Sequence, residues 1–263
     1  MKVSVISTWA DSPIEGWFES IKNQTYKNIE IIAGSEEDFN LPKKGKCFMR
    51  NFLSKKATGD ILLFIDADAL MLPNTVEEIV RIFEDKEVDA VSGLPIAPPR
   101  EKTNFLNYLL GVEYEERIRS MGEGYVSVAA STCFAIKKSV FESVGGFVET
   151  YHKTVGEDWY LSMMLIQKGY KIWHTNKAKI YHFTAETLFK YLKKQFYYAW
   201  YRVYHTKKFG KVRDEYPIAK FNFKKYNIKE KIVFPFFYLL RALVWIFGAI
   251  YGVWTFYITR RGD

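Results

Sequence analysis

Short apolar runs alternate with amphipathic stretches along most of this chain. Val3–Ser7 predicts a first strand, and 14–23 a helix with Ile14, Trp17, Phe18 and Ile21 on one face. Ile29–Ala33 predicts a second strand. Lys46–Lys56 follows as a helix with Phe48, Phe52 and Leu53 turned inward, then Ile61–Ile65 as a third strand. Asn74, with Glu77 three residues on, marks the start of a helix over 75–83, and 88–93 is a fourth strand. Strands alternating with helices predict an α/β fold with a mostly parallel sheet flanked by helices, whose ligands sit at the carboxyl ends of the strands. Further on, 104–124 predicts a helix with a polar loop, 127–136 a strand, and 138–144 a short helix stopped by Gly145-Gly146. A helix over 158–168, strands over 171–174 and 179–182, and a helix over 186–204 complete this part. The last carries Leu188, Leu192, Phe196, Ala199 and Val203 in one stripe.

The pattern changes at the carboxyl end. Residues 232–258 carry one charge, Arg241, and 242–259 carry none. Aromatic residues (Tyr238, Trp245, Tyr251, Trp254, Tyr257) punctuate this run, which closes on Arg260-Arg261. About 20 such residues cross a bilayer as a helix, and aromatic ends with basic flanks mark its interfaces. The segment is expected to associate with a membrane, either spanning it or lying in the interface. Pro235 and Arg241 near its start also allow a helical hairpin.

Charge supports that reading. The net charge is +8, and between residues 186 and 231 thirteen Lys/Arg face four Asp/Glu, so one segment carries the whole excess. A basic, aromatic segment leading into an apolar one points to an anionic membrane surface and away from nucleic acid. At 263 residues, 48% of them hydrophobic, the chain can bury one large core or two modest ones. Cys47 and Cys133 have no metal-ligand spacing and are expected to be reduced packing residues of a cytosolic compartment. Met1-Lys2 leads straight into strand-like sequence, so no signal peptide is expected.

The chemistry concentrates where Ile61-Leu62-Leu63-Phe64-Ile65 meets Asp66-Ala67-Asp68. Alternate residues of an extended chain project the same way, so the two carboxylates leave the strand end together. Like charges so placed repel unless a cation lies between them. Hard oxygen ligands suit Mg2+ or Mn2+, which carboxylates commonly share with substrate phosphates. A diphosphate-bearing substrate follows from that arrangement.

The surrounding motifs resemble the inverting family 2 glycosyltransferases of the GT-A fold. They are Gly45, Arg50-Asn51, Ala57-Thr58-Gly59-Asp60, the apolar strand, Asp66-Ala67-Asp68 and Leu72-Pro73. The opening Val3 to Thr8 and the run Gln24 to Ile32 are similar to that family's first two strands. Gly145-Gly146-Phe147, Gly156-Glu157-Asp158-Trp159 and Lys168-Gly169-Tyr170 are similar to its acceptor side. The resemblance covers about residues 1–205. It implies that Asp158, with Glu157, supplies the catalytic base, and that Asp66 and Asp68 hold Mn2+ or Mg2+. His182 joins them at the metal or the diphosphate. Ser7, Thr8, Arg50 and Asp66 would contact the nucleotide donor. The family's base-binding aspartate is missing from the turn after the second strand, where Ser35, Glu36 or Asp38 could stand in. The Gln-x-x-Arg-Trp of processive polymerases reads Gln195-Phe196-Tyr197-Tyr198-Ala199, so a polymerase is not expected.

The expectation is therefore a GT-A catalytic domain over 1–205 (donor half 1–100, acceptor half 101–205), with a basic juxtamembrane segment and membrane helix or hairpin over 206–263. Its donor is a nucleotide-diphosphate sugar, and its acceptor is lipid-linked or membrane-proximal at the cytoplasmic face of the cell membrane. Rival readings are a nucleotidyltransferase with a similar core, or a non-enzymatic membrane scaffold. With all chemistry between Arg50 and His182, removing 229–263 is expected to leave the core folded.

Overall fold

The computed structural model describes residues 1–149, 156–184, 187–210 and 228–259. Eight strands form one sheet: β1 (Val3–Ser7), β2 (Ile29–Ala33), β3 (Ile61–Ile65), β4 (Ala69–Met71), β5 (Ala90–Ile96), β6 (Gly124–Val126), β7 (Cys133–Lys137) and β8 (Ile172–His182). Their order is β2-β1-β3-β7-β5-β8-β4, with β6 paired to the start of β8. The donor-side strands β2, β1 and β3 are parallel, as expected. The expectation of a mostly parallel sheet is corrected beyond them. Strand β7 enters antiparallel between β3 and β5, and β4 and β6 are antiparallel to β8. Among the described residues, the one further parallel pair outside the β2-β1-β3 group is β5 with β8, joined by a long crossover; β7 comes back from a loop and can run either way.

The helices are α1 (Trp17–Lys22), α2 (Lys46–Lys56), α3 (Thr75–Asp85), α4 (Phe105–Arg119), α5 (Lys138–Ser143), α6 (Glu157–Gln167), α7 (Leu188–Phe209) and α8 (Ile228–Val253), the last followed by a π turn at Trp254–Ile258. Core residues split by sheet face, as period-two strands require. Val3, Val5, Leu63 and Ile65 pack toward α1 and α3 with Trp17, Val76 and Ile79. Ile6, Leu62 and Phe64 pack toward α2, α5 and α6 with Leu53, Phe141 and Leu161.

Several boundaries move for physical reasons. Helix α1 begins at Trp17 because Gly16 takes a positive φ of 80°, while the Ile14 amide is tied to the Ala67 carbonyl at 2.9 Å. Asn74 precedes α3 without making a side-chain cap; the Val76 amide instead donates to Gln24 Oε1 at 3.0 Å. The strand expected over 127–136 is confined to β7, with β6 separate before it. The two short strands after α6 are one continuous β8. Polar Thr175 and Asn176 hide that continuity in the sequence, but both donate to Glu123 Oε1, at 3.1 and 2.7 Å. Gly59 is required by close approach, since a Cβ there would meet Ser4 Oγ at 2.5 Å and the Lys2 carbonyl at 2.8 Å.

A single helix, not a hairpin, runs through Pro235. It packs along α7, where Gly248 and Gly252 let the backbones meet: a Cβ on Gly248 would lie 2.5 Å from the Phe196 carbonyl. The start of α8 buries Phe234 against Leu109 and Val112, and Phe237 against Leu110 and Tyr191. Residues 211–227, which carry part of the basic segment, lie outside the described residues.

Candidate active site

The carboxyl ends of β1, β3 and β8 open into a cavity of about 640 Å³. Its walls come from the loop after β1 (Thr8, Trp9, Asp11), the end of β3 (Asp66, Asp68), the start of α6 (Glu157, Asp158) and helices α4 and α7. Apolar β3 is buried throughout and delivers Asp66 at its end. The Asp66 carbonyl accepts the Trp17 indole N–H at 3.2 Å, which fixes the turn.

Two cations meet on Asp66 Oδ1, Lys46 Nζ at 2.9 Å and the Arg50 guanidinium at 2.6 Å. Burial alone would raise the Asp66 pKa, but Lys46, Arg50 and His182 outweigh it and hold the carboxyl well below its usual range. Arg50 is almost fully buried, stacked over Phe147, and also donates to Ser131 Oγ at 2.9 Å. It lies beneath the cavity, not on its wall, so it positions Asp66. Its neighbour Asn51 points elsewhere. It donates to the Phe147 carbonyl at 2.8 Å and accepts from the Phe147 amide at 2.9 Å, which clasps the Gly145-Gly146 turn. The Arg-Asn pair thus joins the third strand to the acceptor side.

Asp66, Asp68 and His182 offer one ligand atom each within 4.8 Å of one another. His182 Nε2 sits 3.3 Å from Asp68 Oδ1, aligned by the antiparallel pairing of β4 and β8, which sets Ala69 opposite His182. Burial pulls the His182 pKa down, yet Asp68 and then Asp66 more than offset this and raise it. Two hard carboxylates with one imidazole, their ligand atoms this close together, fit Mn2+ or Mg2+.

Gly156, at φ 90°, turns the chain into α6 and places Glu157 and Asp158 at its first turn. Glu157 is buried and faces Arg50 at 3.8 Å and Lys46 at 3.9 Å. Asp158 reaches the cavity, accepting from the Trp159 amide at 2.8 Å and the Ser131 amide at 3.3 Å. Burial, then the adjacent charge of Glu157, pushes its pKa up to about 6.

Three other residues singled out from the sequence, Ser7, Ser35 and Glu36, fall outside the cavity wall. Ser7 is buried at the end of β1, and only Thr8 of that pair lines the cavity. Ser35 donates through its amide to Asp38 at 2.7 Å, and Glu36 accepts the Lys44 and Gly45 amides at 2.5 and 2.6 Å. Both brace the loop before α2.

The sequence reading missed Lys46 and the whole wall from α4 and α7: Glu113, Tyr114, Arg117, Tyr191, Lys194 and Gln195 among others. Glu113 and Arg117 stand one turn apart in α4, but in a run, Glu113 to Arg119, so rich in charge that nothing in the sequence singles them out. Arg241 of α8 pairs with buried Glu113 and donates to Gln195 Oε1 at 3.0 Å; Trp245 Nε1 donates to the same oxygen at 2.9 Å. So α8 braces this wall, and the expected independence of the core from 229–263 gives way. Breaking a buried ion pair costs about 3–5 kcal/mol. Because Arg117 also faces Glu113, at 3.8 Å, Arg241→Met is expected to lose about 3 kcal/mol, measured by urea unfolding in detergent. An unchanged midpoint would mean that α8 merely rests on the core.

The mixed sheet, the Asp-Ala-Asp strand end and the carboxylate on α6 together define a GT-A-type fold. The mannosyltransferase PcManGT from Pyrobaculum calidifontis, solved in complex with GDP-Man and Mn2+, superposes at a TM-score of 0.57 and 20% identity, covering 100% of this chain and 76% of that one. S. aureus TarS 1-349 in complex with UDP-GlcNAc gives 0.52 at 13% identity, over 76% of this chain and 66% of that one. Residues 38–145 match the Glycosyl transferase family 2 model. The O-antigen chain rhamnosyltransferase WbaN of Salmonella anatum is 32% identical over 169 residues, 60% of this chain and 50% of that protein. The chain spans about half the length of the curated relatives it matches.

Proposed function

We propose that this chain is a metal-dependent, inverting glycosyltransferase that moves one sugar from a nucleoside-diphosphate donor to a lipid-linked acceptor at the cytoplasmic membrane face. The observation that carries this is the convergence of Asp66, Asp68 and His182 with Asp158 on one cavity. Asp158 takes the proton of the acceptor hydroxyl as that oxygen attacks the anomeric carbon. The bond from carbon to the diphosphate oxygen breaks, and the diphosphate leaves with the electron pair. Glu157 and Asp66 share Lys46 and Arg50, which keeps the cluster near neutrality when the donor is absent. A Mn2+ or Mg2+ held by Asp66, Asp68 and His182 would act as a Lewis acid on the departing diphosphate. PcManGT, solved with GDP-Man, and TarS, solved with UDP-GlcNAc, support a nucleotide-sugar donor. The O-antigen relative supports a lipid-linked acceptor.

A nucleotidyltransferase is disfavoured, since residues 7–13 contain no glycine to cradle a triphosphate. A scaffold would have no need of a buried carboxylate raised toward neutrality. The test is a thermal-shift panel of UDP-, GDP- and dTDP-sugars with and without Mn2+. One nucleotide should raise the melting temperature only with metal, by mass action; no shift with any donor would overturn the reading.

The rate should also report Asp158. Only its ionised form accepts a proton, so kcat/KM is expected to rise with pH through about 6 and then level. Below that point it should fall about tenfold per pH unit. A flat profile between pH 5 and pH 8 would exclude Asp158 as the base.

A further inference from the structure

Helix α8 and its π turn are long and apolar enough to cross a membrane, over Lys231–Ile258. One face, through Phe234, Phe237, Arg241, Gly248, Gly252 and Phe256, is turned into the protein. The other presents Phe236, Leu239, Leu243, Ile246, Phe247 and Ile250 to the outside, at 46–71% exposure. The partner along most of its length is α7, which carries Lys190, Lys193, Lys194, Arg202, Lys207 and Lys208 and lines the cavity with Lys190, Lys194 and Gln195.

We propose that α8 lies in the plane of an anionic bilayer's interface, apolar face down, and does not cross it. A crossing helix would carry its close-packed partner into hydrocarbon. The charges of α7 are strongly unfavourable there, and the cavity it lines, with its carboxylates, would go with it. The only charge of α8 between residues 232 and 258, Arg241, is turned away from the bare face toward Glu113 and Gln195. An uncharged outward face on a helix whose neighbours are cationic is the distribution of an interfacial helix on anionic lipid. The bare face and the charged neighbour thus select lipid over a second copy of the chain, whose identical basic surface would be repelled. This geometry sets the active-site cavity at headgroup level. The inference rests on the membrane-proximal acceptor proposed above but not on the chemistry assigned to the cavity.

Single-cysteine labelling tests it in the full chain, since Cys47 and Cys133 are both buried and free. Lys231→Cys and Gly262→Cys bracket the helix and are expressed in bacteria, whose inner membrane is prepared as sealed inverted vesicles. With a membrane-impermeant maleimide, both sites should label before detergent is added, to within about twofold of their extent in detergent. Protection of either site until detergent opens the vesicles means that α8 spans, and overturns the proposal. A chain that does not co-float with the vesicles and scatters as a soluble dimer would overturn it too, by assigning the bare face to a second copy. Divalent-dependent donor turnover, followed in the same vesicles, separates these outcomes from a failure of the glycosyltransferase reading.

Discussion

Asp158→Asn is expected to bind the nucleotide donor as the wild type does and to turn over about 10²- to 10⁴-fold more slowly, the contribution of a positioned general base. Asparagine keeps the shape, and its one oxygen can keep the 2.8 Å bond from the Trp159 amide to Oδ1, giving up only the longer 3.3 Å bond from the Ser131 amide to Oδ2. It has no lone pair basic enough to take the acceptor's proton. Stability separates this account from a structural role. Burial raises the Asp158 pKa, so its protonated form is the one that the fold favours. The residue therefore adds stability below the unfolded carboxylate's pKa of about 4 and loses that contribution as pH rises through about 6. At pH 8 the wild type carries a buried ion that Asn does not, so the variant should melt no lower than wild type. Donor affinity by calorimetry, single-turnover rate and melting temperature together decide. A variant that loses donor binding and stability but keeps its rate would make Asp158 a scaffold residue.

Asp68→Ala is expected to abolish the Mn2+-dependent thermal shift and to cut turnover by at least about 10³-fold, since Lewis-acid stabilisation of a leaving group is worth several kcal/mol. The remaining Asp66 is already neutralised by Lys46 and Arg50 on Oδ1, so it cannot hold a divalent ion against a diphosphate alone. Asp68 is also the carboxylate paired with His182, at 3.3 Å, and its removal takes away the main influence that raises the His182 pKa. The side chain is 46% exposed and anchors no core contact, so the fold should survive. Chelation of the wild type should reproduce the defect. Turnover in Asp68→Ala that matches wild type, with or without a chelator, would remove the metal from the account.

What could be read from the sequence was what short-range pattern encodes. Strands β1, β2 and β3 are runs whose burial needs no distant information, and Asp66 and Asp68 follow from the period of an extended chain. The pairing of Asp68 with His182 was suggested by the family resemblance alone, because the antiparallel register of β4 on β8 joins residues over a hundred positions apart. Strand β8 looked like two strands because Glu123, far away in the chain, satisfies its polar middle. The antiparallel entry of β7 left no mark, since a buried strand is apolar in either direction. Arg50 was legible as important, but its burial under Asp66 was not. The acceptor wall was the largest omission. Gln195, Arg241 and Trp245 lie on two helices whose contact depends on Gly248 and Gly252, and such small-residue packing becomes meaningful only once the partner helix is known.

The most direct measurement is proton NMR of the anomeric signals during turnover of an accepted nucleotide sugar with Mg2+ and a polyprenyl-phosphate-linked sugar acceptor. The account predicts a new glycosidic signal of the configuration opposite to the donor's, growing with release of the nucleoside diphosphate and stopping when the metal is chelated. A product that retains the donor's configuration, or transfer that continues at full rate in a chelator, would contradict it.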